Sequence, residues 1–243
     1  MRQVGVLISV YKPTLQLTQL VEELLHHDFI EIIIVDDGSP NEFRDFFYEL
    51  QNKKNVTLLS HSVNLGKGDA LKTGFNYFYS YHPTSIGIVT ADADGQHLVR
   101  DILEVSNALM KDQKKIVLGC RQFDEEVPLR SRIGNLLSQM VFKVILGFHL
   151  SDTQTGLRGI PTPLLYNLLQ LQTGHYEFEM DSLITSFKKG YKIIEVPVST
   201  IYIGNNQSSH FNAVVDSLKI GLVFIKHMRD SFLTTLAEYG VFI

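Results

Sequence analysis

The sequence predicts an α/β protein with a mostly parallel central sheet flanked by helices. Three observations lead there. Short continuous apolar runs read as strands buried on both faces. Stretches with apolar residues three and four apart read as amphipathic helices. The two kinds alternate through the first 120 residues, which implies parallel strands joined by right-handed crossovers.

Val4 to Val10 is the first apolar run. Thr14 to His27 carries Leu17, Leu20, Val21, Leu24 and Leu25 at helical spacing. Ile30 to Val35 is a second strand, Asn41 to Lys53 a helix and Val56 to Ser60 a third strand. Asp69 to Tyr81 is a helix with Leu71, Phe75 and Phe78 on one side. Ile86 to Thr90 and Ile116 to Cys120 are strands around a helix at Val99 to Asp112. The pattern then changes. Leu129 to Phe148 reads as a long amphipathic helix, and Pro163 to Gln172 and Met180 to Lys189 as shorter ones. Ile193 to Val196 and Ser199 to Ile203 are short strands around Pro197, and Asn212 to Glu238 is a helix. No repeat or flexible linker interrupts the chain. One catalytic region is expected over 1–211, with a nucleotide-binding half (1–120) and an acceptor half (121–211), followed by an amphipathic helix over 212–243.

The composition sets bounds. A chain of 243 residues, 44% hydrophobic and 20% charged, can bury a full core. A net charge of -4 gives no basic footprint, so nucleic acid is not an expected partner. A single cysteine, Cys120, lies inside an apolar run and reads as a buried structural thiol in a reducing cytoplasm. The amino terminus enters Val4 to Ile8 directly, which is too short for a signal-peptide core. No apolar stretch reaches the roughly 18 residues of a membrane span. A soluble protein, or one peripheral at the cytoplasmic face of a membrane, is expected.

In an open parallel sheet, ligands sit beyond the carboxyl ends of the strands. Four strands here are followed by Tyr11-Lys12-Pro13, Asp36-Asp37-Gly38-Ser39, Asn64-Leu65-Gly66-Lys67-Gly68 and Asp92-Ala93-Asp94-Gly95-Gln96-His97. Two carboxylates two residues apart, Asp92 and Asp94, can point oxygens at one hard cation, Mg²⁺ or Mn²⁺, that also holds phosphate oxygens; a solvated Asp-Gly turn is the plain alternative. Asp36 and Asp37 can accept hydrogen bonds from a nucleobase or ribose, or serve the turn itself. Gly66-Lys67-Gly68 precedes a helix, whose N-terminus favours anions, and Lys67 adds a charge. There is no Walker A loop, and no G-x-G-x-x-G follows the first strand. His210, near Gly204-Asn205-Asn206, can close over a diphosphate or ligate a metal as neutral imidazole.

Together these segments resemble a family 2 glycosyltransferase with the GT-A fold, of the dolichyl-phosphate mannose synthase-like branch. The resemblance runs from Val4 to about Ile220. Gly119-x-Arg121, Asp152-x-Gln154-Thr155-Gly156-x-Arg158-Gly159 and Glu177-x-Glu179-x-Asp181 extend it. It implies an inverting, metal-dependent transfer of one sugar from a UDP- or GDP-linked donor. Nucleotide-sugar contacts would come from Tyr11, Pro13, Asp36, Asp37, Lys67, Asp92, Ala93 and Arg121. The metal would be held by Asp92, Asp94 and Gln96, with His210 a further candidate. Arg130, Ser131, Arg132 and Arg158 would meet the acceptor, with Asp152 and Thr155 shaping that side. Asp94, Asp152, Asp181 and Arg130 would act in catalysis. Arg121 and Arg158 also suit structural ion pairs.

The acceptor decides whether a base is needed. A phosphate monoester is already anionic and needs cations, which Arg130 and Arg132 supply; this favours a polyprenyl phosphate. A saccharide hydroxyl in cell-envelope polysaccharide synthesis would instead recruit Asp181, Glu179 or Asp152 as base. The chain has no tryptophan and so lacks the Q-x-x-R-W signature of processive synthases. The broad apolar faces of Leu129 to Phe148 and Val214 to Leu236 suit the core, a homodimer contact, a membrane surface or a membrane-protein partner. Two rivals remain at this stage: a haloacid dehalogenase-type phosphohydrolase using Asp92-x-Asp94, and a nucleotide-binding scaffold.

Overall fold

The computed structural model describes residues 3–121, 142–143, 147, 149–199, 221–227 and 229. Most of the predicted helices Leu129 to Phe148 and Asn212 to Glu238, and nearly all of the predicted strand Ser199 to Ile203, lie outside the described residues; 142–143 and 221–227 are helical.

The order is β1 (Val4–Val10), α1 (Leu15–Leu25), β2 (Ile32–Asp36), a 3₁₀ turn (Asn41–Phe43) leading into α2 (Arg44–Gln51), β3 (Val56–Ser60), α3 (Lys67–Tyr81), β4 (Gly87–Asp92), α4 (Val99–Lys111) and β5 (Lys115–Arg121). Then come β6 (Arg158–Pro161), α5 (Thr162–Leu169), α6 (Glu177–Lys188) and β7 (Lys192–Val198). Seven strands form one sheet in the order β3-β2-β1-β4-β6-β5-β7. The sheet is parallel except for β6, which runs antiparallel between β4 and β5.

Both faces of the sheet are covered, which explains the unbroken apolar strands. Along β1, Val4, Val6, Ile8 and Val10 point into a core shared with α1, α2 and α4. Leu7 points the other way, into a core with α3, α5 and α6. Small residues let α3 lie close on that side. A side chain at Gly5 would meet the Phe78 ring at 2.4 Å, and one at Gly74 would meet Leu7 at 2.2 Å.

Two strands differ from expectation. β6 is four residues, two of them Arg158 and Pro161, and nothing in so short a segment announces a strand. β7 is one strand that runs through Pro197 instead of breaking there. It lies at the sheet edge, where a missing N–H costs no ladder bond on the open side. The buried thiol of Cys120 donates to Glu195 Oε1 at 3.2 Å. Burial, and then the Glu195 charge, push its pKa up, which suits a structural thiol.

Candidate active site

The strand order reverses at β1: the chain moves outward to β2 and β3, then returns to β4 on the other side. Such a switch point leaves a crevice beyond the carboxyl ends of the strands. Register pairs Val10 with Asp36 and Ser9 with Asp92, so these two aspartates flank the end of β1. The four loops singled out in the sequence therefore share one end of the sheet.

Asp36 turns back on its own loop: its Oδ1 accepts the Ser39 N–H at 2.9 Å, and Ser39 Oγ accepts the Lys12 N–H at 2.9 Å. Pro13 is buried, while Lys12 lies over the Tyr11 ring, 5.2 Å from its centroid. Asp37 is 4% exposed and grips the neighbouring loop. Its Oδ1 accepts the Leu65 N–H at 2.9 Å and its Oδ2 the Gly66 N–H at 2.8 Å. His61 Nδ1 lies 2.8 Å from the same Oδ1, and its Nε2 lies 2.9 Å from Thr73 Oγ1. A carboxylate offers about four acceptor positions, so most of Asp37's capacity is spent inside the chain, fixing the approach to Lys67.

The glycines beside Lys67 have a packing reason. Gly66 has φ +102, and a side chain there would meet His175 Nδ1 at 2.0 Å. One at Gly68 would meet Phe178 Cβ at 2.5 Å. With hydrogens in those places, the segment from Gly174 to Phe178 lies on the start of α3, and the Asp69 N–H donates to Gly174 O at 2.9 Å. That contact brings α6, and Glu179 with it, to Lys67.

Lys67 Nζ bridges two carboxylates, 2.7 Å from Asp92 Oδ1 and 3.2 Å from Glu179 Oε1. Burial works against the ammonium, but Asp92 and Glu179 outweigh it and hold its pKa above the ordinary lysine value. Burial alone would raise Asp92; Lys67 and then His97 outweigh it and hold that carboxyl well below the usual range. The Asp92 backbone N–H donates to His97 Nδ1 at 2.9 Å, so in the neutral ring the proton is on Nε2. A side chain at Gly156 would meet Asp92 Oδ2 at 2.3 Å, so Gly156 leaves the room that this carboxylate fills.

Asp94 follows two residues on, in a turn whose Gly95 has φ +81. Its Oδ1 accepts the Gln96 N–H at 3.0 Å. Burial, and then the Asp92 charge, push its pKa up. Ala93 and Gln96 are half-buried in the same turn. Among the described residues no three His, Cys, Asp or Glu side chains converge on a metal position. Two carboxylates are nevertheless a donor set that fits Mg²⁺ or Mn²⁺ when diphosphate and water complete the shell. The mutual repulsion of Asp92 and Asp94 is what a cation there would relieve.

The remaining candidates are tied up elsewhere. Arg121 makes a forked contact to Asp152, Nε to Oδ2 at 2.7 Å and Nη2 to Oδ1 at 3.1 Å, and Asp152 is fully buried. Arg158 is 3% exposed, and its Nε and Nη1 donate to the carbonyls of Thr155 and Glu179. The structure thus seats it inside the protein, on backbone carbonyls, and does not bring it to an open surface. Asp181, also fully buried, lies 2.7 Å from His227 Nε2 and accepts from Thr173 Oγ1 at 3.1 Å. Glu179 and Asp181 sit two apart on a helix, so they face opposite ways. Arg130, Ser131, Arg132 and His210 lie outside the described residues.

Sequence reading gave no role to His97, Gly156, His175 or His227. His97 and Gly156 stand inside quoted motifs, so a local signal existed. His175 and His227 carry none, because their partners are remote in the chain.

A family model described as "Glycosyl transferase family 2" matches residues 6–162. The UDP-N-acetylglucosamine–dolichyl-phosphate N-acetylglucosaminyltransferase of Methanococcus voltae is 31% identical over 228 residues, covering 86% of this chain and 90% of that protein. The dolichyl-phosphate beta-glucosyltransferase of Saccharomyces cerevisiae is 26% identical over 221 residues, covering 81% and 64%. Glucosyl-3-phosphoglycerate synthase of Mycobacterium tuberculosis, crystallised with Mn²⁺, UDP and phosphoglyceric acid, aligns with TM-score 0.65 at 17% identity, over 93% of this chain and 78% of that one. At that identity the likeness is one of fold.

Proposed function

The chain belongs to glycosyl transferase family 2 and has the GT-A fold, and from that premise we propose that it moves one sugar from a UDP- or GDP-linked donor to a polyprenyl phosphate, inverting the anomeric centre. Family membership removes the phosphohydrolase reading, as does the position of Asp92 at the end of the fourth strand rather than the first.

The observation that carries the donor side is the pair Asp92 and Asp94 at the switch point of the sheet, with Asp94 raised by burial and then by its neighbour's charge. Asp92 and Asp94 would hold Mg²⁺ or Mn²⁺, and the ion would offset the charge that builds on the departing diphosphate. The M. tuberculosis synthase, bound to Mn²⁺ and UDP, supports this use of the fold. Tyr11, Pro13 and Asp36 line the nucleobase side. Asp37 acts by holding the Leu65–Gly66 backbone, and Lys67 brings positive charge to the diphosphate side. Gln96 and His210 are the remaining metal candidates.

The acceptor side is supported by what the carboxylates are doing. A hydroxyl acceptor must lose its proton as it attacks, so it needs a positioned base. The three carboxylates the sequence nominates for that task are all engaged: Asp152 pairs with Arg121 and Glu179 with Lys67, and Asp181 shares a hydrogen bond with His227. A phosphate monoester needs no base. The two relatives named as dolichyl-phosphate transferases point the same way. Arg130, Ser131 and Arg132 are the proposed phosphate contacts. No helix among the described residues is long and apolar enough to cross a membrane; we propose that the protein meets its lipid at the membrane surface.

A thermal-shift screen of UDP-, GDP- and dTDP-sugars with Mg²⁺ or Mn²⁺ tests the donor, because a ligand that binds only the folded state raises Tm. Transfer is then measured to a short polyprenyl phosphate and to free saccharides. Sugar appearing on a saccharide hydroxyl and never on the lipid phosphate would overturn the acceptor.

A further inference from the structure

In the crevice Lys67 stands between Asp92 and Glu179, at 2.7 Å and 3.2 Å. Its side chain is 18% exposed, and those of Asp92 and Glu179 are 29% and 11% exposed, so solvent screens the cluster poorly. Lys67 opens α3, and its backbone is fixed by the Asp37 contacts to Leu65 and Gly66. The ammonium therefore touches an oxygen of the same carboxylate that a divalent ion would need.

We propose that Lys67 gates the metal: in the donor-free enzyme its ammonium stands in for the cation on Asp92, so a divalent ion enters with the nucleotide diphosphate and not before it. This rests on the reading of Asp92 and Asp94 as the metal pair. A bare dication must either displace the ammonium from Asp92 or settle beside it, and like charges this close repel strongly. A dication carried by the doubly charged diphosphate of the donor makes a complex that is close to neutral, with phosphate oxygens to offer the ammonium. Its arrival gives the ammonium a new counter-charge while Glu179 keeps hold of it, so Asp92 is released to the ion at little electrostatic cost. Glu179 is on this account a positioning residue for the lysine, and its place opposite Asp92 is what makes the exchange reversible.

Mn²⁺ binding is followed by the loss of its free-ion electron paramagnetic resonance signal, first with Mn²⁺ alone and then with UDP or GDP added. The full chain and the variants Lys67→Met and Glu179→Gln are compared. The wild type is expected to bind Mn²⁺ at least roughly tenfold more tightly with nucleotide than without. Lys67→Met is expected to bind Mn²⁺ alone at least roughly tenfold more tightly than the wild type. Glu179→Gln leaves Lys67 only Asp92 as a charged partner, and is expected to weaken Mn²⁺ binding in the presence of nucleotide. A merely structural role would move both variants in one direction. Equal Mn²⁺ affinity of wild type and Lys67→Met without nucleotide would overturn the gate and leave the metal pair standing. Absence of Mn²⁺ binding under every condition would overturn both. Should Lys67→Met not fold, Lys67→Gln carries the same expectation, and Glu179→Gln tests it from the other side.

Discussion

Arg121 holds Asp152 by two nitrogens, and that aspartate has no exposure to solvent. Two residues that the family resemblance assigns to ligands are thus bound to each other. A forked arginine–carboxylate pair whose carboxylate is buried fixes geometry more firmly than an exposed one. Removing one partner strands the other charge. Arg121→Ala should therefore cost about 3–5 kcal/mol in urea unfolding. Replacing both residues by apolar ones of similar volume should recover much of that. A single-variant loss under about 1 kcal/mol would argue that Arg121 is held loosely and is available to substrate.

Asp94→Asn should keep the fold and lose metal-dependent donor binding. The side chain can still accept the Gln96 N–H that shapes its turn, but it no longer brings the negative charge that a hard cation prefers. Calorimetry of the responding donor with Mn²⁺ checks this. Binding unchanged from the wild type would remove Asp94 from the metal.

Gly156 tests Asp92 from the opposite side. A methyl group there would sit 2.3 Å from Asp92 Oδ2, and the flexible end of that side chain can yield where backbone could not. Gly156→Ala should therefore weaken Mn²⁺-dependent nucleotide binding by about tenfold or more while unfolding at nearly the wild-type urea concentration. A large stability loss with normal binding would mean that Asp92 stays put and the backbone moves.

Asp181 and His227 give a pH signature. Burial would raise the Asp181 carboxyl, but the hydrogen bond and charge of His227 outweigh it and hold its pKa below the ordinary value of 3.8. A folded pKa below the unfolded one stabilises the protein above that ordinary value, and the gain is lost as pH falls through the folded pKa. Asp181→Asn should then be less stable than the wild type by about 1–3 kcal/mol at neutral pH. The difference should shrink below about pH 4. A constant difference from pH 7 to pH 3 would show that the pair contributes no charge-linked stability.

The parallel half of the fold was legible because strands covered on both faces must be apolar nearly throughout, as Val4–Val10 is but for Ser9 and Ile32–Asp36 is up to its terminal aspartate. β6 was not, since an antiparallel insertion between β4 and β5 is decided by remote partners and not by Arg158–Pro161 itself. The same division holds at the site. Asp92 and Asp94 announce themselves, being two residues apart at a strand end. That Asp92 is met by Lys67, Asp37 by the Leu65–Gly66 backbone, and Asp181 by His227 46 residues later follows only from tertiary packing.

The acceptor assignment rests on Arg130 and Arg132, and it can be separated from the donor site. A phosphate monoester brings its own negative charge, so cations that meet it lower the cost of bringing it against the departing diphosphate of the donor. Each charge-assisted contact is worth about 1.5–3 kcal/mol, or roughly tenfold to a hundredfold in affinity. Arg130→Ala with Arg132→Ala should raise the KM for a polyprenyl phosphate by at least roughly tenfold, while the Kd for the nucleotide stays within about twofold. Lysine at both positions should restore part of the loss, because it keeps the charge but not the planar fork. An equal loss for nucleotide and acceptor would place these arginines on the donor diphosphate instead. No loss for either would return the acceptor phosphate to a contact elsewhere on the protein.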